Sequence, residues 1–213
     1  MDLTAALRSR RLVAIVRGDN PQAALDTVLT LVDEDITLVE ISLSGQDALD
    51  VIAEARAALG PDAPLGAGTV LTSGDARAVQ RAGADFVVTP ALCEGITTAK
   101  ELGLPVLAGV MTPSEIVAGL RLGADALKLF PAAQAGGLEY LRALRGPFPE
   151  VRFVPVGGVD AGVARDCLAA GATAVGVGSP LIGDAAAGGS LEALRARARA
   201  FVKAVAETEG EPR

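Results

Sequence analysis

A single-domain (β/α)8 TIM barrel with an extra N-terminal helix is what this sequence predicts, and three observations predict it. Short apolar runs recur eight times, as "RLVAIVR", "TLVEISL", "PLGAGTV", "FVVTP", "PVLAGV", "ALKLF", "RFVPVGG" and "AVGVGS", with centres roughly 20 to 27 residues apart. That spacing holds one strand, one helix and two short loops. The segments between the runs have helical period and helical punctuation. A weak internal repeat, "RAGADF", "ELGLPV", "RLGADAL" and "AAGATAV", sets a glycine after each helix and a strand just beyond it. Strands that alternate with helices form a parallel sheet, and eight such units is the number that closes a barrel. The rival, a doubly wound open sheet, usually has fewer strands and needs a long glycine fingerprint after the first one, where this chain has "VRGDNP".

In chain order, Met1 to Ser9 reads as the extra helix. Asn20-Pro21 places a capping side chain before a first-turn proline, and "QDALDVIAEARAALGP" carries a helix from Gln46 into Gly60-Pro61. Gly83, Gly103, Gly123 and Gly171 read as helix-ending residues in left-handed geometry. Ser190 opens "LEALRARARAFVKAV", with apolar residues at 191, 194, 198, 201, 202 and 205. No linker interrupts residues 1–213, so one domain is expected, with about 208–213, including "EGEPR", as a disordered tail.

Half of the 213 residues are apolar, enough for a substantial core. A formal charge of -7 and a pI near 4.7 argue against nucleic acid and anionic membrane surfaces, so an anionic substrate must be met by local features. The opening stretch lacks the pattern of a signal peptide, no apolar run approaches a membrane span, and a cytoplasmic location is expected. Cys93 and Cys167 fall in segments that read as helical and are expected to be small buried apolar groups. There is no histidine, so chemistry must run on Lys, Glu, Asp, Arg, Thr and backbone groups, with no metal or cofactor called for.

Barrel sites lie at the C-terminal ends of the strands. Alternation puts Leu38, Glu40 and Ser42 on one face of the second strand, and Ala126, Lys128 and Phe130 on one face of the sixth. If both faces point inward, a carboxylate and an amine meet in a nearly dry space. The plain alternative is a structural ion pair, or a lysine that snorkels out of the barrel mouth. Three segments weigh against it. "GAGTV" offers the Thr69 hydroxyl, with Gly66 and Gly68 leaving room for a ligand. "VGGV" and "GVGSP" supply Gly157, Gly158, Gly178 and Ser179, whose backbone N–H groups suit phosphate after the last two strands. A neutral amine attacks a ketone to give a Schiff base, and the carboxylate is assigned as the proton shuttle.

At these residues the sequence resembles the 2-keto-3-deoxy-6-phosphogluconate (KDPG) aldolases, together with the 4-hydroxy-2-oxoglutarate (KHG) and 2-keto-3-deoxy-6-phosphogalactonate aldolases. The resemblance runs through "LVAIVRG", "LVEISL", "GAGTVLT", "VVTPAL", "GVMTPSE", "ALKLFPA", "GPFPEVRFVPVGGV" and "AVGVGSPL", covering nearly the whole chain. It implies a class I aldolase, a carbon–carbon lyase that cleaves a phosphorylated 2-keto-3-deoxy sugar acid to pyruvate and glyceraldehyde 3-phosphate, with KHG as a further substrate. Lys128 matches the Schiff-base lysine and Glu40 the acid/base glutamate. Arg17 and Thr69 match residues that hold the pyruvate carboxylate, Gly157, Gly158 and Ser179 match the phosphate grip, and Pro90 and Gly178 complete the substrate-binding set. The resemblance also implies a homotrimer.

Two departures stand out. Many relatives carry an arginine where this chain has Ser44, which shifts carboxylate binding toward Arg17. Val156 stands where gluconate-type enzymes commonly have threonine, as in galactonate-type enzymes, although "GVMTP", "KLFP" and "GPFP" resemble the gluconate type. Two other functions compete: a sugar-phosphate isomerase, with Glu40 abstracting a proton, and a non-catalytic phosphate-ligand barrel.

Overall fold

The computed structural model describes residues 1–207; the tail expected at 208–213 lies outside the described residues. Helix α1 (Leu3–Arg10) leads into β1 (Leu12–Val16), and strands and helices then alternate: α2 (Pro21–Asp33), β2 (Val39–Ser42), α3 (Ala48–Leu59), β3 (Leu65–Gly68), α4 (Ser73–Ala82), β4 (Phe86–Val88) and α5 (Glu94–Glu101). The second half repeats the plan with β5 (Val106–Val110), α6 (Pro113–Arg121), β6 (Ala126–Leu129), α7 (Gly137–Arg145), β7 (Phe153–Pro155), α8 (Ala161–Ala169), β8 (Val175–Val177), the short α9 (Ser179–Ile182) and α10 (Leu191–Ala206). The eight strands pair in parallel in the order β7-β6-β5-β4-β3-β2-β1-β8, and a parallel bridge between Val156 and Gly176 joins the two ends of that sheet. The sheet is therefore a barrel rather than an open doubly wound array.

Strand alternation separates two apolar layers. Outward residues such as Ala14, Val16, Ile41, Ala67, Val87, Ala108, Leu127, Phe153 and Val177 pack against the helices. Inward residues Val13, Leu38, Phe86, Val88, Leu107, Ala126, Val154 and Ala174 fill the barrel, and Leu3 and Leu7 of α1 join that inner cluster at 1% and 0% exposure. The extra helix therefore closes the N-terminal end of the barrel. The interior is narrow enough that one inward position has no room for a side chain: a Cβ on Gly66 would lie 2.3 Å from the Phe86 ring.

Local chemistry sets the helix ends where the sequence reading put them, with small shifts. Asn20 accepts from the Ala23 N–H and Ser190 from the Ala193 N–H. Gly83, Gly103, Gly123 and Gly171 all have φ between 76° and 98°, the left-handed geometry expected. The extra helix runs Leu3–Arg10 rather than from Met1, because the Asp2 side chain accepts from the Ala5 N–H and caps it. The second long helix starts at Ala48, after Asp47, rather than at Gln46. Cys93 is the extended residue just before α5, half-buried, while Cys167 is a buried helical thiol as expected.

The "GAD" repeat has a definite job. Asp85, just before β4, accepts from the Leu65 N–H that opens β3 and pairs with Arg56. Asp125, just before β6, accepts from the Val106 N–H that opens β5 and pairs with Lys100. Each carboxylate thus ties the start of the preceding strand to the start of its own.

Candidate active site

On β6, Leu127 and Leu129 turn outward into the helix layer, which leaves Lys128 facing the barrel axis. On β2, Val39 and Ile41 turn outward and Glu40 inward. The two inward side chains meet: Lys128 Nζ lies 3.8 Å from Glu40 Oε1, with side-chain exposures of 9% and 2%. That separation makes an ion pair but exceeds a hydrogen bond. A buried charge without a partner costs several kcal/mol, so each group compensates the other, while the open distance leaves the amine able to meet a second partner. The Phe130 ring adds a cation–π contact, its centroid 5.4 Å from Nζ.

Burial pushes the Glu40 carboxyl above the ordinary carboxylate range, and the charges of Lys128 and Arg17 pull it part of the way back. Space for the carboxylate depends on a neighbour in register. Ser42 pairs with Gly68 across β2 and β3, and a Cβ on Gly68 would lie 2.6 Å from Glu40 Oε1. This corrects the expectation for "GAGTV": the room at Gly66 holds the Phe86 ring and the room at Gly68 holds Glu40, so both serve packing rather than an external ligand.

Above the pair opens a cavity of about 560 Å3, within the range of small-molecule sites. Lys128, Arg17, Thr69, Pro90 and Val156 line it, and so do Gly157, Gly158, Gly178 and Ser179. Nine of the predicted site residues therefore share one space, and Glu40 reaches it through Lys128. Gly157 and Gly158 have φ of 100° and 73°, a turn after β7 that other residues rarely adopt. Gly178 and Ser179 open α9 directly after β8, where the first N–H groups of a helix have no intrahelical acceptor. Arg17 is exposed at the end of β1, on the same inward register as Val13 and Ile15.

Three features were not singled out from the sequence. Ile15 lines the cavity, and strand alternation alone points to it; the Phe130 ring, expected on the inward face with Lys128, lines it too. Val159, Ile182 and Gly183 reach it through loop curvature that leaves no period in the sequence. The third is a chain of hydroxyls, in which Ser42 Oγ lies 2.9 Å from Thr69 Oγ1 and 2.8 Å from Ser44 Oγ. Thr69 itself has φ of 60°, in the left-handed region. Among the described residues no group of three or more His, Cys, Asp or Glu side chains is placed to hold a metal ion.

The family model for KDPG and KHG aldolase matches residues 3–193, a span that includes all eight strands and every cavity residue named above. The chain belongs to the KDPG and KHG aldolase family. Among curated relatives of this family member, the 2-dehydro-3-deoxy-phosphogluconate aldolase of Haemophilus influenzae is 36% identical over 164 residues, 76% of this chain and 77% of the relative. The 2-dehydro-3-deoxy-6-phosphogalactonate aldolase of Escherichia coli is 37% identical over 198 residues, 92% of this chain and 95% of the relative. Among solved structures, the KDPG aldolase of Legionella pneumophila, with pyruvate captured at low pH as a covalent carbinolamine intermediate, superposes with a TM-score of 0.81 at 27% identity, covering 96% of this chain and 97% of the other.

Proposed function

We propose that the chain is a class I aldolase that cleaves KDPG to pyruvate and glyceraldehyde 3-phosphate, and that it also cleaves KHG. One observation carries this reading: Lys128 and Glu40 form a buried pair at 3.8 Å whose amine opens into a cavity bordered by the Gly157-Gly158 turn. A structural ion pair needs no such cavity.

The residues divide the work by their chemistry. Lys128 Nζ attacks the C2 ketone, and loss of water from the carbinolamine leaves an iminium ion conjugated to the carboxylate. Arg17 and Thr69 hold that carboxylate by charge and hydrogen bonding. Glu40 takes the proton of the C4 hydroxyl as the C3–C4 bond breaks; the aldehyde leaves, and the bond's electron pair stays with the enamine of pyruvate. The same carboxyl returns a proton to C3, and hydrolysis releases pyruvate and restores the amine. Burial raises the Glu40 carboxyl above the ordinary carboxylate range, the direction that makes it a better proton acceptor for this exchange. The phosphate rests against the backbone of Gly157, Gly158, Gly178 and Ser179, which line the same cavity.

Val156 favours a second reading, the galactonate type. It lines the cavity, is 5% exposed and offers only methyl groups. A substrate hydroxyl left without a partner at a dry site costs about 1 to 3 kcal/mol, enough to relax or invert discrimination between the C4 epimers. Pyruvate release from each epimer at equal concentration decides the matter. A higher kcat/KM on the gluconate epimer supports the main reading; a preference for the galactonate epimer assigns the chain to the second. Release from neither removes the aldolase reading altogether.

The protein further acts as a homotrimer in the cytoplasm on this reading. Supporting the assembly, five of the eight exposed large apolar side chains among the described residues, Leu71, Met111, Val117, Leu120 and Leu122, fall between the end of β3 and the residue that follows α6. Exposed large apolar side chains are the kind of surface that an assembly covers. Among the described residues no helix is long and apolar enough to cross a membrane.

A further inference from the structure

Thr69 combines two features that ordinary packing does not require. It is β-branched yet has φ of 60°, a conformation that costs on the order of 1 to 3 kcal/mol and persists only where the surroundings hold it. Its hydroxyl also ends a chain that runs from the surface inward: Ser44 is exposed, Ser42 is 1% exposed, and the contacts of 2.8 and 2.9 Å are ordinary O–H···O lengths. The strands supply the frame. Ser42 stands opposite Gly68 in register, and the Leu43 N–H donates to the Gly68 carbonyl at 2.8 Å, so the two chain segments that carry the hydroxyls are bonded together.

Each hydroxyl has one proton, and Ser42 has two oxygen neighbours, so it can donate to only one of them and must accept from the other or from both. A carboxylate is acceptor-only. When one binds in the cavity, Thr69 must turn its proton toward the ligand, and its bond with Ser42 is then one that it accepts. Ser42 in turn accepts from Ser44. The three dipoles align in series toward the anion, which strengthens each bond. Neutral hydroxyls in series thus supply part of what a second cation beside Arg17 would supply, since Arg17 and Lys128 are the two cationic side chains lining the cavity.

We infer that Ser42 is a positioning residue for substrate carboxylate binding: with Ser44 behind it, it orients the Thr69 hydroxyl as a donor to the carboxylate of the 2-oxo acid. Ser42 does not touch substrate; it acts through Thr69. The inference rests on the aldolase reading above, and it extends that reading to a specific cause of affinity.

The test compares wild type, Ser42→Ala, Ser42→Thr and Ser44→Ala, with Ser42→Ala repeated in a Thr69→Val background. Two measurements are made on each: steady-state cleavage of KDPG, and the pyruvate concentration that half-saturates borohydride trapping on Lys128. Ser42→Ala raises KM and the half-saturating pyruvate concentration by about tenfold, as loss of one well-aimed donor to an anion does, while kcat stays within about twofold. Ser42→Thr, which keeps the hydroxyl, restores both. Ser44→Ala, at an exposed position where folding is not at stake, raises KM by about two- to threefold because the chain loses its outer donor. In the Thr69→Val background, Ser42→Ala adds no further loss. Equal losses with and without the Thr69 hydroxyl, or a fall in kcat at unchanged KM, would overturn the inference. If wild type forms no pyruvate adduct, the aldolase reading fails; if Ser42→Ala forms the adduct at the wild-type half-saturation, only this inference does.

Discussion

The two ends of the barrel are built from the same alternating strands and serve opposite purposes. At the N-terminal end, inward positions carry Val13, Leu38, Leu107 and Ala174, and α1 closes over them with Leu3 and Leu7. Toward the C-terminal end the next inward positions carry Glu40, Lys128, Ser42 and Arg17, and a cavity opens. The floor is dry, apolar and close-packed. The mouth holds a buried ion pair, a turn of two positive-φ glycines and a threonine in a left-handed conformation. On the proposed reading the barrel's floor serves packing and its mouth serves chemistry, so the effect of a substitution at an inward position should depend on its height along the strand more than on its type.

Glu40→Gln breaks the mouth without touching the floor. Turnover is expected to fall by about 10^2- to 10^4-fold, the usual contribution of a positioned acid/base group, while pyruvate still binds. In the parent enzyme, activity falls as pH drops through the Glu40 pKa, because the carboxylate needed to accept the C4 hydroxyl proton is lost. Burial places that fall above the ordinary carboxylate range. A pH profile of kcat for both proteins checks this: the glutamine variant lacks the acid limb.

Leu7→Ala is the converse. It empties space in the inner cluster beneath the strands, where Leu7 is 0% exposed, and should cost about 2 to 5 kcal/mol of unfolding free energy in urea melts with kcat per folded molecule unchanged. A sharper contrast comes from two glycines on one strand. Gly66→Ala strikes the Phe86 ring at 2.3 Å and should cost about 1 to 3 kcal/mol of stability. Gly68→Ala strikes the Glu40 carboxylate at 2.6 Å and should lower kcat by about tenfold or more. If the two variants show the same balance of lost stability and lost activity, the division between the ends is wrong.

The smallest effect lies at the rim of the mouth. Thr112 caps α6, and Glu115 closes the capping box by accepting from the Met111 and Thr112 N–H groups, which hold its carboxyl below the usual range. Thr112→Ala should cost about 1 kcal/mol. Because the Glu115 pKa is depressed on folding, its share of stability is complete above the ordinary glutamate value and is lost as pH falls through the folded value. Chemical denaturation at pH 7 and near pH 3 reads both effects.

The strands were legible because each is a short, mostly apolar run, and parallel burial on two faces leaves that trace in a chain. Glu40 and Lys128 were legible for the same reason, as charges standing on inward positions of such runs. What escaped notice depends on tertiary neighbours. The sequence shows that Gly66 and Gly68 lack side chains but not that a phenyl ring and a carboxylate occupy the space. It shows Ser42, Ser44 and Thr69 but not that β2 and β3 bring their hydroxyls within bonding distance. The extra helix starts at Leu3 rather than Met1 because the Asp2 side chain caps its first turn.

The division of the barrel into a structural floor and a reactive mouth stands or falls with Lys128. Borohydride reduction in the presence of pyruvate, followed by mass analysis of the peptides, tests it most directly. The expected result is a stable pyruvyl adduct on Lys128, formed by wild type and by Glu40→Gln and lost in Lys128→Ala. Unmodified wild-type protein, or equal labelling of Lys128→Ala, would contradict it and leave the buried pair as a structural contact.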